Sequence, residues 1–132
     1  MRYGVGMQPE FVHLHVHTQF SFLVSTVKLG ELAPAAKARG MRAVAMTDHA
    51  NLFGAIRHYK ACRALEMTPI IGCELNVARD NTERVDHLVC LASSLEGYKN
   101  LVELSSLSYT KSAASSSPSI NLETLAQHSK GL

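Results

Sequence analysis

The chain has 132 residues, 46% hydrophobic and 18% charged, with a formal net charge of +2 and a mean hydropathy of +0.02. That is the make-up of one soluble globular domain, and it excludes a disordered chain or a membrane-spanning one. The Lys and Arg residues are scattered without a basic block, so charge alone does not mark a nucleic-acid partner.

Residues 1–10, "MRYGVGMQPE", carry no periodicity and read as a lead-in, within which Met7 is an alternative start. The run 11–16, the first part of "FVHLHVHT", reads as a strand, followed by a polar-aromatic loop, "TQFSFLVST". "LGELAPAAKARG" (29–40) has helical composition and closes on Gly40, a good residue just past a helix end, although Pro34 fits best in a first turn. "RAVAMTDH" (42–49) is a buried-strand pattern ending in polar residues. The stretch 52–67 is amphipathic, with Leu52, Ile56, Tyr59 and Leu65 on one face. "TPIIGCELNV" (68–77) and "HLVCLA" (87–92) are further strands. Ser93 and Glu96 form a capping-box pattern ahead of "LEGYKNLVELSSLSY". After a small-polar loop (110–119), Asn121 caps a last helix. Strands alternating with helices predict an α/β fold built from βαβ units on a parallel sheet, open or closed into a barrel.

Cys62, Cys73 and Cys90 are odd in number and lack a CxxC pair. They read as free buried thiols suited to a reducing cytoplasm, not as a disulfide framework or a thiolate zinc site. There is no nucleophile elbow and no Gly-rich phosphate loop.

The histidines are more informative. In a strand, His13, His15 and His17 share one face, leaving Val12, Leu14 and Val16 for an apolar one. A single strand histidine is usually a polar edge residue; three at period two favour a metal site. Asp48 and His49 close the second strand, and Glu74 closes the third. The carboxyl ends of parallel strands form the functional face of such folds, so these groups would gather with His17 on one rim. His15 and His17 are nearest that rim, and His13 lies deeper. His87 starts its strand and is weaker on geometry. His58 and His128 read as exposed helical residues. A His/carboxylate set without thiolates suits zinc, manganese or iron, and Glu74 can bridge two ions. Paired metals would favour hydrolysis of a phosphate ester.

"HLHVHT", "AMTDHANLFGA", "PIIGCEL", "HLVCLA" and "EGYKNLVELSSLSY" together resemble the PHP domain that opens the bacterial replicative DNA polymerase III alpha subunit, from about Phe11 to Leu132. The resemblance implies a distorted PHP-type β/α barrel with up to three metal ions, of which residues 11–132 would be the N-terminal portion. Carried over by position, the metal ligands are His15, His17, His49, Glu74 and His87; His87 enters on the resemblance alone. Where the family's first motif runs on to Asp-Gly, this chain has Val24 and Ser25, which removes one ligand. The family's later ligands and the polymerase active site lie beyond Leu132, and Ser119 stands where the family usually has Arg. An incomplete barrel with open sheet edges predicts marginal stability in isolation.

The resemblance implies a part in DNA-directed DNA synthesis within a longer cytoplasmic protein, with a metal-dependent phosphoesterase or proofreading activity in this domain. Its partners would be the remainder of the alpha chain, DNA through the full polymerase, and the proofreading exonuclease. The alternative is a non-catalytic module that stabilises the polymerase and docks that exonuclease. A free-standing PHP-family phosphatase is the least favoured reading.

Overall fold

A computed structural model describes residues 11–79, 84–111 and 117–132; the proposed lead-in 1–10 and residues 112–116 of the proposed loop lie outside these. The elements in order are α1 (Leu29–Ala38), β1 (Ala43–Met46), α2 (Ala55–Ala64), β2 (Thr68–Ala78), β3 (Val85–Leu91), α3 (Leu95–Thr110), β4 (Ile120–Asn121) and α4 (Leu122–Gln127). The α/β reading holds, with parallel pairing of β1 to the first half of β2 and of β4 to its last residues. The β2–β3 pair differs from the alternation reading: it is antiparallel, with Cys73 opposite Cys90 and Asn76 opposite His87.

β2 is the spine of the fold, and its period of two separates core from site. Cys73, Leu75 and Val77 point to one side, where they meet Leu101 and Leu104 of α3, Cys90 and Ile120. Glu74 and Asn76 occupy the other face, and with Asn76 opposite it in register, His87 shares that face. A second cluster joins Ala33 and Ala36 of α1 to Val44, Cys62 and Met67. All three cysteines are free and buried, as expected. Among the described residues no helix is long and apolar enough to cross a membrane.

Local signals mostly hold. Asn121 caps α4 by accepting the Thr124 N–H at 2.8 Å. The cap of α3 is one residue later than the capping-box pattern suggests. Ser94 accepts from the Gly97 N–H, while Ser93 is drawn off to the Gly131 carbonyl. Pro34 sits in the second turn of α1, not the first.

Two expectations are overturned. Residues 11–16 form no regular strand, although the segment runs beside β1. The Ala45 and Thr47 N–H groups donate to the carbonyls of His13 and Val16, so a two-residue step from β1 to the residue just past its end spans three residues here. The Val16 N–H goes instead to the Thr47 hydroxyl. The extra residue interrupts the ladder and ends the alternation of faces, as a bulge does; Leu14 is left 50% exposed instead of packed.

The buried face of α2 is also rotated from the one the apolar pattern marks, although Leu52 and Leu65 are partly buried against the core. Ala55, His58 and Cys62 are buried, while Ile56 and Tyr59 are more than half exposed. His58 is fully buried with its Nε2–H donating to the Val44 carbonyl at 3.1 Å. Burial lowers its pKa below the ordinary 6.5. The unfolded chain therefore takes up a proton on this group before the folded one does. The contribution of His58 to stability is complete above pH 6.5 and is lost as pH falls through the lowered folded value. His58→Gln keeps a donor for Val44 and does not titrate. In denaturant unfolding the wild type should exceed it by about 1 kcal/mol at neutral pH, and the gap should close on acidification. A gap that widens in acid would refute this.

Candidate metal centre

The site is built around Glu74, which is only 6% exposed. Its carboxylate oxygens face separate imidazole pairs. Oε2 lies 2.7 Å from His15 Nε2 and 3.3 Å from His17 Nε2. Oε1 lies 2.9 Å from His49 Nδ1 and 3.1 Å from His87 Nδ1. Burial alone would raise the Glu74 pKa, but hydrogen bonds from His49, His87 and His15 outweigh it and hold the group at about 2. Glu74 is therefore a carboxylate at any ordinary pH.

Each member arrives by a different backbone route. β1 ends at Met46, but the chain stays extended far enough for His49 to form a parallel bridge with Glu74. His87 reaches the rim because β3 runs antiparallel, so its start lies beside the far end of β2. His15 and His17 come from the irregular segment beyond its extra residue. His13 is not brought in; its ring packs edge-on against Phe11 at 4.7 Å. Val24 is two-thirds exposed and offers no donor atom. His128, expected to be exposed, is partly buried at the end of α4, where Nδ1–H donates to the Thr124 carbonyl.

Asp48 is the other departure. It is fully buried and turned away from the four imidazoles. It accepts from the Thr18 N–H at 2.6 Å, the Thr18 hydroxyl at 2.6 Å and the Ser21 hydroxyl at 2.7 Å. Ser21 in turn lies 2.8 Å from His17 Nδ1 and accepts the His49 N–H at 3.0 Å. Thr18 and Ser21 are supporting residues that a reading of "TQFSFLVST" as a loop does not single out. Asn76 was missed as well: its amide nitrogen lies 2.9 Å from the Pro118 carbonyl and 3.3 Å from His49 Nε2. Its buried Oδ1 has no partner among the described residues.

The donor set fits divalent metal. Two groups, His15–His17–Glu74 and His49–Glu74–His87, each bring their ligand atoms within 4.8 Å of one another. All are nitrogen or oxygen donors, the carboxylate is shared, and an orphaned Asn76 oxygen lies on the same face. His15 and His87 are half-exposed, so the cluster opens to solvent on one side.

An α/β sheet gathers four histidines around one carboxylate, a donor set that suits divalent metal, and the chain belongs to the PHP domain family, which it matches over residues 13–132. Its similarity is narrower than that family. It is 41% identical to DNA polymerase III subunit alpha of Aquifex aeolicus over 96% of this chain and 12% of that protein. The same subunit of Treponema pallidum is 42% identical over 92% of this chain and 11% of that protein. That of Campylobacter jejuni is 43% identical over 93% and 11%. The chain thus spans about a tenth of the length of these relatives and is homologous to their N-terminal PHP domain. Solved structures agree on the fold. A Bifidobacterium adolescentis protein assigned as a metal-dependent phosphoesterase superposes with a TM-score of 0.61 at 18% identity, covering 76% of this chain and 34% of that one. An amidohydrolase from Chromobacterium violaceum, with bound sulfate and no metal, gives 0.52 at 19% identity, covering 80% and 39%.

Proposed function

We propose that His15, His17, His49, Glu74 and His87 hold divalent metal ions (zinc, manganese or iron, up to three in a complete cluster) and that the site acts on phosphate esters. The observation carrying this reading is the division of Glu74 between two imidazole pairs, one to each oxygen. Metal bound there would supply an activated water and positive charge for a developing phosphoryl oxyanion. The protein's own part is to keep Glu74 ionised, to aim four imidazoles at it, and to leave the His15 and His87 side open for a phosphate group. Residues 11–132 are then the first portion of a PHP barrel in a cytoplasmic replicative polymerase alpha subunit. Its partners would be the rest of that chain, DNA and the proofreading exonuclease. Val24 favours a second reading in which the domain stabilises the polymerase and docks the exonuclease without turnover.

Metal analysis after dialysis, with turnover of a chromogenic phosphodiester, tests both. The first reading expects bound metal and hydrolysis in the wild type, both retained in His13→Ala and both weakened in His15→Ala, the metal affinity by at least about tenfold. Bound metal without hydrolysis supports the second. Equal metal content in wild type and His15→Ala would sink the ligand assignment.

A further inference from the structure

We propose that Ser21, held by Asp48, is a positioning residue that fixes the tautomer of His17, keeping the proton on Nδ1 and presenting the Nε2 lone pair to the cluster. A serine hydroxyl has one proton and two lone pairs, and an ionised carboxylate only accepts. Ser21 Oγ has three close partners: Asp48 Oδ1 at 2.7 Å, the His49 N–H at 3.0 Å and His17 Nδ1 at 2.8 Å. Asp48 can only receive, so the Ser21 proton points to it. The His49 N–H can only give, so it occupies one lone pair. The remaining lone pair faces His17 Nδ1, which must therefore carry hydrogen. A neutral His17 then has its free lone pair on Nε2, the atom 3.1 Å from His15 Nε2 and 3.3 Å from Glu74 Oε2.

Nothing in this chain of bonds has freedom to reverse. Ser21 is 2% exposed and Asp48 fully buried, so water does not supply a substitute partner. Asp48 is itself anchored by both donors of Thr18, the residue next to His17. The backbone of the site thus sets the direction of the Ser21 hydroxyl, and the hydroxyl sets the imidazole. An outer partner of this kind orients a metal-binding ring and raises its basicity.

This inference deepens the metal-site reading, but its first test needs no metal. Long-range proton–nitrogen correlation spectra of ¹⁵N-labelled chain in chelator, well above the usual imidazole range of pH, report which ring nitrogen of each histidine is protonated. His17 should show protonated Nδ1 and bare Nε2. In Ser21→Ala the tautomer should shift toward protonated Nε2, and affinity for added zinc or manganese should fall roughly 10- to 100-fold. Ser21→Thr, which restores a hydroxyl, should recover both. Protonated Nε2 on His17 in the wild type overturns the proposal even if no variant folds, and so does a Ser21→Ala chain with wild-type tautomer and affinity. The expected tautomer in a wild type that binds neither metal would uphold this inference while refuting the metal site.

Discussion

Glu74→Gln is expected to abolish metal binding and, with it, the stabilisation that added metal confers on the fold. Glutamine is close in shape but carries no charge, and its amide nitrogen can face only one of the two imidazole pairs as a donor. One pair then meets a group that cannot share a cation. The loss should exceed the 10- to 100-fold that removal of an outer-sphere partner costs, because both halves of the cluster use this carboxylate. Zinc or manganese at a hundred times its dissociation constant should stabilise the wild type by about 2.7 kcal/mol, and Glu74→Gln not at all. An equal metal-induced rise in melting temperature for both chains would refute a bridging role for Glu74.

The metal-free protein gives the same residue a second signature. Glu74 has a folded pKa of about 2 against an ordinary 4.5. A depressed carboxylate pKa means that the unfolded chain binds the proton first as pH falls. Its stabilising contribution is therefore complete above pH 4.5 and disappears on the way down to about 2. In chelator, the wild type should lose its margin over Glu74→Gln across that window. This acid signature concerns Glu74 and its hydrogen bonds, and the metal signature concerns the cluster, so each can fail alone.

The parts of this site that were legible in the sequence are those that depend on strand ends. His17 and His49 each follow an apolar run and reach one rim as expected. Glu74, read as closing its strand, lies inside β2 (Thr68–Ala78) and meets that rim because its parallel partner β1 stops at Met46. His87 was harder because an apolar run such as "HLVCLA" does not state its direction. The spacing does: residues 78–86 between the two runs are fewer than the dozen or so that a parallel crossover requires. An antiparallel hairpin is then the remaining choice, and it carries the start of β3 to the rim. His13 was set apart as lying deeper along its run, but the one extra residue against β1 that breaks its alternation was not legible, because the Thr47 hydroxyl that accommodates it makes no mark on periodicity. The face of α2 misled for a physical reason as well. Its buried side is lined by Ala55 and Cys62, small enough for close approach, and by a histidine with a backbone acceptor waiting for it. Large apolar residues on the other side are left exposed among the described residues, including Ile56 and Tyr59. Ser21 and Asp48 were invisible as a pair because they are 27 residues apart and meet only after β1 is in place.

Gly97→Ala is expected to be the most damaging of the small substitutions to the fold. Gly97 lies in the first turn of α3, where its bare Cα packs against the turn at Gly131. A β-carbon there would stand 1.8 Å from the Gly131 carbonyl oxygen and 2.5 Å from its carbon. Both obstacles are backbone, so no rotamer change relieves the clash. Gly131 cannot easily yield, since it has a φ of +79° and its carbonyl accepts from both the N–H and the hydroxyl of Ser93 at 2.8 Å. Moving the turn would break those bonds and the one from Asn100 to the Lys130 carbonyl at 2.8 Å, and would pull Leu132 from the edge of the core it packs against. Overpacking strain with two or three lost hydrogen bonds amounts to about 3 kcal/mol, or roughly 10 °C in melting temperature for a domain of this size. Gly30→Ala is the matched control. Among the described residues nothing lies within 4 Å of a β-carbon at Gly30 in α1, and alanine is the better helix former by up to about 1 kcal/mol. The two substitutions add the same methyl group to helical glycines, yet they should move the melting temperature in opposite directions. Equal shifts would mean that the terminal turn does not rest on α3 in solution.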